Sequence, residues 1–221
     1  MSKLKTMLLA VIFASASVAP SFAGSDEFAG PYVSVSGSSI GAELDGSYTA
    51  SDGVITKGTG GSIAQVGAID VGYTLPLGES FLIGIGISKT PGSANISKAD
   101  DAANAADITI KAEDFTTYYI QPTISMSENS AVFLKLGKSE ADLKITGDFS
   151  GTSSKELDGN TYALGTKTMF SSGMYFSAEA GYSDYDNIFV NDIGNANTLG
   201  TGDAKADPST AFGQFSIGYK F

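Results

Sequence analysis

The sequence predicts an all-β chain: an eight-stranded antiparallel up-and-down transmembrane β-barrel. Three observations predict it. Eight runs rich in Val, Ile, Tyr, Phe and Thr alternate at period two, with no helical period between them. The connections between those runs alternate short and long. Past the first two dozen residues, no apolar stretch approaches the ~20 residues that a membrane-crossing helix needs.

The first run, residues 31–40, places Val33 and Val35 on one face and serines on the other. The second, 63–75, opposes Ile69, Val71, Tyr73 and Leu75 to Ala68, Asp70, Gly72 and Thr74. The third, 81–89, sets Phe81, Ile83, Ile85 and Ile87 against Gly84, Gly86 and Ser88. The fourth, 114–126, separates Tyr118, Ile120, Pro122, Ile124 and Met126 from Thr117, Tyr119, Gln121, Thr123 and Ser125. Pro122 cannot donate to a ladder, so a bulge or weak pairing is expected there. The fifth run, 131–145, alternates Val132, Leu134 and Leu136 with Phe133, Lys135 and Gly137. The sixth, 160–170, alternates Tyr162, Leu164, Thr166 and Thr168 with Ala163, Gly165 and Lys167. The seventh, 174–182, opposes Met174, Phe176, Ala178, Ala180 and Tyr182 to Tyr175, Ser177, Glu179 and Gly181. The eighth is 210–221.

Connections after the second, fourth and sixth runs are tight turns, one of them carrying Pro76 and Gly78. Those after the first, third, fifth and seventh are expected to be long loops, at 41–62, 90–113, 146–159 and 183–209. All tight turns therefore fall at one end and all long loops at the other. A membrane barrel with periplasmic turns and surface loops has this arrangement. A soluble sandwich has no reason for it.

The first 23 residues read as an export signal. Lys3 and Lys5 precede an apolar stretch from Met7 to Val18, and Ser21 and Ala23 supply small residues for cleavage. The barrel domain is then expected over 24–221. The chain holds 13 Lys+Arg, all of them lysine, against 24 Asp+Glu, and no histidine or cysteine. An acidic chain without arginine lacks the electrostatic footprint of a nucleic-acid binder. The absence of histidine removes imidazole bases and His-ligated metals. No cofactor is implied.

For a barrel in lipid, the apolar face points outward and the small, polar face fills the lumen. Asp70, Lys135, Lys167 and Glu179 then point inward. They could form a charged constriction, but eight strands enclose a bore just wide enough for side chains. A structural ion-pair network is the favoured reading, with the pairing not set by sequence. Tyr73, Phe81, Phe170 and Phe176 lie near the tight turns, as Tyr219 and Phe221 do, and suit an interfacial aromatic girdle. Loop oxygen ligands cluster at Asp184, Asp186, Asn187 and Asp192, at Asp203 and Asp207, and at Asp100 and Asp101. None matches a full calcium loop, so solvated surface charge is the favoured reading.

The last run places Phe215, Ile217, Tyr219 and Phe221 on one face. It resembles the C-terminal signal of outer-membrane barrels, in which a terminal aromatic is read by the barrel-assembly machinery. Val71-Gly72-Tyr73, Leu134-Lys135-Leu136-Gly137 and Ala178-Glu179-Ala180-Gly181-Tyr182 resemble stretches of small eight-stranded surface barrels. These are the outer membrane protein A-like and opacity-like porin families, which carry an outer membrane protein beta-barrel domain. The resemblance implies residence in the bacterial outer membrane, with lipid and lipopolysaccharide as neighbours. It also implies periplasmic chaperones and the assembly machinery as partners in biogenesis. No peptidoglycan-binding domain is expected after the barrel, so wall anchoring is not implied. Barrel enzymes that resemble this scaffold use a histidine, which this chain lacks. The expected function is a non-enzymatic envelope barrel that presents acidic loops for interaction or adhesion to a surface partner not identified by sequence. The alternatives are a small diffusion channel and a soluble periplasmic lipid-binding barrel.

Overall fold

The structure, a computed structural model, describes residues 25–98, 108–147, 151, 153–194 and 201–221. The predicted export signal and the acids Asp100 and Asp101 lie outside the described residues. A 3-10 turn (Ser25–Phe28) leads into β1 (Gly30–Ala50), β2 (Ile55–Pro76), β3 (Phe81–Lys98), β4 (Ile108–Ser125) and β5 (Ser130–Gly147). There follow β6 (Glu156–Met169), β7 (Met174–Tyr185), β8 (Ile188–Gly194) and β9 (Thr201–Lys220). Successive strands pair antiparallel, and β9 returns to β1 along a ladder from Tyr32 opposite Lys220 to Ala50 opposite Gly202. The sheet is a closed ring.

The ring has eight staves, although nine strand segments are described. β7 pairs with the lower part of β9, ending with Asp184 opposite Ser209. β8 resumes on the same side of β9 with Ile188 opposite Ala206. β7 and β8 are thus one stave broken at Asp186 and Asn187.

The predicted faces are observed. Val35, Ile69, Val71, Tyr73, Leu75, Ile85, Ile120 and Ile217 are exposed, while Ser34, Asp70, Thr74, Gln121 and Ser216 are buried. An isolated sheet would bury its apolar face; this one shows it outward around the whole ring, as a lipid-facing barrel does. The three tight turns and the start of β1 share one end, where the Phe221 amide donates to the Pro31 carbonyl (3.0 Å).

The long loops are corrected. The described residues of the segments 41–62, 90–113 and 183–209 are mostly strand, because the hairpins run on far past the apolar belt. β1 and β2 hold 21 and 22 residues, about twice the ~9–11 that cross a bilayer. Their upper halves alternate small and polar residues, so no hydrophobic period marks them as strand. At Pro122, where a bulge or weak pairing is expected, the weak pairing is observed and the bulge is not: the β4–β5 ladder skips Gln121 and Pro122. Ile120 stands opposite Leu136 and Thr123 opposite Phe133, so the register keeps step across it. The register shifts lie elsewhere, between Thr90 and Ser93, Asn95 and Ser97, Glu113 and Thr116, and Val190 and Ile193.

A cross-strand device recurs inside the ring. Tyr32 stands opposite Gly72, Tyr119 opposite Gly86, Phe133 opposite Gly165 and Tyr175 opposite Gly218. Each ring occupies the space that a side chain at its partner glycine would need: a Cβ at Gly86 would come within 2.6 Å of Tyr119 Cζ. Laying an aromatic over a neighbouring glycine shields backbone and fixes register. A side chain at Gly165 should therefore be costly. Gly165→Val is expected to lower stability by about 1–3 kcal/mol, whereas Gly213→Ala, with open space around its Cβ, should stay within about 0.5 kcal/mol. Urea unfolding in lipid vesicles, followed by the heat-modifiable gel shift, measures both.

Candidate functional site

The lumen is filled in layers, beginning at the turn end. The 3-10 turn drops Phe28 into the mouth, where it packs with Tyr32, Leu82, Ala131, Met169 and Tyr175. All six are buried, which closes this end with an apolar stopper. Asp26 and Glu27 in that turn stay exposed, and the Asp26 carbonyl accepts a hydrogen bond from Lys220 (3.3 Å).

Lys167 comes next. Its ammonium sits 4.7 Å from the Tyr32 ring centre and 4.6 Å from that of Tyr175, and these two rings meet edge to face. The predicted network is corrected here: among the described residues Lys167 has no ion-pair partner. It belongs to a lower rung than Glu179, opposite Ser177 rather than beside an acid. Two electron-rich ring faces hold its charge instead, an interaction worth about 2 kcal/mol or more when desolvated.

The remaining three charges converge. Lys135 donates to Glu179 Oε1 at 2.9 Å and lies 3.8 Å from Asp70 Oδ1. Gln214 also donates to Glu179 Oε1 (3.1 Å). Lys135 stands over the Tyr119 ring at 4.7 Å, and the Tyr119 hydroxyl bonds that of Tyr32 at 2.9 Å. β2, β5 and β7 thus each deliver one charge, and the tyrosines tie this layer to the Lys167 cage below. Sequence reasoning found the charges and placed Tyr119 and Tyr175 on the inward face without giving them a role; it missed Phe28 and Tyr32. The available signal was an aromatic at an inward position with a glycine on the adjoining run.

Above the charges runs a row of hydroxyls across four strands. Thr117 bonds Ser139 (2.7 Å), Ser139 bonds Thr161 (2.6 Å) and Thr161 bonds Ser183 (2.7 Å). Higher still the lining turns apolar, with Ile110, Ala112, Leu143, Leu157 and Ile188 buried together and Phe115 and Tyr185 packed against them. Between the charges and this apolar mouth lies a cavity of about 150 Å³. The expectation that side chains fill the bore is met at the turn end and not in the outer half.

Outside, Tyr73, Phe81, Phe170 and Phe176 are exposed around the turn end. Phe176 stacks on Phe215, and Tyr219 meets Phe221 edge to face. A second set, Tyr118, Tyr162 and Tyr182, lies toward the opposite edge of the apolar belt, Tyr118 level with Lys138 and the other two one outward position below Asn160 and Asp184. Two aromatic rings thus bracket the belt. Among the described residues no group of three acids is placed to hold a metal ion. Asp192 and Asp203 meet only through the Asp192 amide, which donates to Asp203 Oδ1 (3.1 Å).

A closed antiparallel ring with an apolar belt, aromatics at both of its edges and a packed lumen defines a membrane-spanning β-barrel of the outer-membrane class. Residues 6–221 match the family described as outer membrane protein beta-barrel domain, and the chain belongs to that family. It is a bacterial outer-membrane protein. No curated protein matches it in sequence. The Pseudomonas aeruginosa outer membrane protein OprG shares its fold at 15% identity and a TM-score of 0.52, over 87% of this chain and 97% of that one. Ail, the attachment invasion locus protein of Yersinia pestis, solved with the heparin analogue sucrose octasulfate, aligns at 14% identity and a TM-score of 0.46, over 85% and 99%. The Escherichia coli outer membrane protease OmpT aligns at 9% identity and 0.42, over 93% and 99%.

The charge layer yields a stability prediction. Removing its one cation leaves two carboxylates buried together. Lys135→Met is expected to destabilise the barrel by about 3–5 kcal/mol. The triple change Lys135→Met, Glu179→Gln, Asp70→Asn should recover most of that loss. A triple variant no more stable than the single one would show that the layer does not act as a unit.

Proposed function

We propose that the chain is a closed, non-enzymatic barrel whose working surface is the set of acidic hairpins raised above the membrane. The observation that supports this best is the stack of Phe28, the Lys167 cage and the Asp70–Lys135–Glu179 layer. These layers pack the turn end of the described lumen, and the inward charges there are held by one another or, for Lys167, by two aromatic rings. The hairpins, by contrast, spread their acids outward. Glu43, Asp45, Asp52, Glu140, Asp142, Asp184, Asp203 and Asp207 are all exposed. Such a rim attracts cationic partner surfaces and does so most strongly at low salt. The predicted export signal carries the chain to its compartment in this reading.

The test is direct. Protein refolded into planar bilayers should give no discrete conductance steps. Steps that persist in purified monomer would overturn the closed-lumen reading in favour of a diffusion channel. Cells displaying the protein should be retained on an amine-coated surface at about 10 mM salt, where the Debye length is ~30 Å. Amide replacement of Glu140, Asp142, Asp184 and Asp207 should reduce that retention. Equal retention by the two would count against the hairpins as the working surface.

The outward face of β9 is proposed as the assembly address, read by the barrel-assembly machinery after chaperone delivery. Phe221 is 71% exposed, and its side chain closes no part of the lumen. Phe221→Ala should therefore lower the folded amount in outer-membrane fractions more than it lowers the stability of barrel already folded. Wild-type amounts in those fractions would sink this role.

A further inference from the structure

The barrel wall is open on one side. β2 and β3 pair over eight rungs only, from Pro76 opposite Leu82 to Ile69 opposite Lys89. Their other partners continue well beyond: β1 stays with β2 up to Thr49 opposite Ile55, and β3 stays with β4 up to Lys98 opposite Thr109. The cause is local. Pro91 has no N–H to donate, Gly92 takes a positive φ (+103°), and the register slips between Thr90 and Ser93. Asp114, also at positive φ (56°), marks the matching slip in β4. Lys89 donates to the Asp114 carbonyl (3.1 Å) and to Thr116 Oγ1 (3.2 Å), fastening β3 to β4 rather than to β2. The sill of the opening lies at the top of the apolar belt, since Ile69 and Ile87 are outward and exposed and Lys89 is the first charge above them.

Behind the opening lies the outer cavity. Val66 of β2 and Thr90, Pro91 and Gly92 of β3 line it on this side. We propose that this cavity binds a small neutral amphiphile, with one hydroxyl and an apolar body about the size of one aromatic ring, admitted sideways at headgroup level between β2 and β3. Size supports it, because about 150 Å³ is room for a benzene-sized guest. Chemistry supports it as well. Phe115, Leu157 and Phe212 offer the body an apolar wall. The four hydroxyls from Thr117 to Ser183 share three bonds among themselves, which leaves lone pairs open for a hydroxyl head. An anionic head finds no free cation among the described residues that line the cavity, since Lys135 is already flanked by Asp70 and Glu179. This inference rests on the closed-lumen reading for the floor of the site; conductance tests that floor, and binding tests the site.

The probe is p-cresol, titrated into ¹⁵N-labelled protein in dodecylphosphocholine micelles. Saturable amide shifts are expected at Thr117, Ser139, Leu157 and Thr161. Ala42→Phe, which fills the cavity from β1, should weaken binding at least roughly tenfold, and Thr161→Val by a smaller factor of about five. Heat-modifiable mobility confirms that each variant is folded. Shifts that rise without saturating, or that are confined to lipid-facing residues, would overturn the site. The chain has no native cysteine, so Ala64→Cys with Ser93→Cys offers a single disulfide across the opening. Ser93→Cys carrying a bulky maleimide serves if the disulfide does not form. Either block should slow cresol exchange several-fold, and reduction should restore it in the disulfide form. Exchange unchanged by both would overturn the sideways route.

Discussion

The rest of the structure depends on the ladder between β1 and β9. In hydrocarbon no water is present to satisfy a peptide N–H or C=O, and each orphan costs several kcal/mol. A sheet can cross lipid only if it has no edge there. The pairing of Tyr32 with Lys220, continued without a slip to Ala50 and Gly202, removes that edge. It also places Phe221 at the seam, where its amide bonds the Pro31 carbonyl. The chain thus has its last residue at the point where the ring closes.

Closure at eight staves then dictates the interior. The bore is too narrow for bulk water and too wide for serine and glycine alone. The chain answers with large aromatics at a few inward positions, each laid across a glycine on the next strand. Tyr32 over Gly72 and Tyr119 over Gly86 bring two phenols from opposite flanks into one hydrogen bond. Those same rings supply the faces on which Lys135 and Lys167 rest. Packing, register and charge neutralisation are therefore one arrangement. The cations need no extra acids because the rings that fill the bore also solvate them.

The belt was legible in the sequence and the hairpins above it were not, for one reason. Within lipid the two faces of a strand meet opposite environments, so Ile69, Val71 and Tyr73 must alternate with Ala68, Asp70 and Gly72. Above the belt both faces meet water or polar neighbours, and the constraint on alternation disappears. Segments such as 41–50 and 55–62 then look like loop while their backbones remain paired. The lumen charges were legible as a set because a lone charge between apolar neighbours can point only inward. Their partners were not, since stagger between staves decides which rungs share a level. Lys167 and Glu179 are both inward, yet only Lys135 reaches the acid. Phe28 lay outside any alternating run, and nothing in its local sequence marks it as the stopper.

The opening between β2 and β3 follows from the same constraint that closes the ring. Sheet edges are forbidden only where water cannot reach them. The β2–β3 ladder ends at Ile69 and Lys89, at the upper limit of the apolar belt, and above that height an unpaired edge can hydrogen-bond to solvent and headgroups. Pro91 and Gly92 would be intolerable two turns of the pleat lower, where a missing donor would face lipid. Placed just above the boundary, they part the wall at little cost. A barrel obliged to be sealed in hydrocarbon is free to open at its surface, and the slips at Thr90–Ser93 and Glu113–Thr116 lie there, next to the outer cavity.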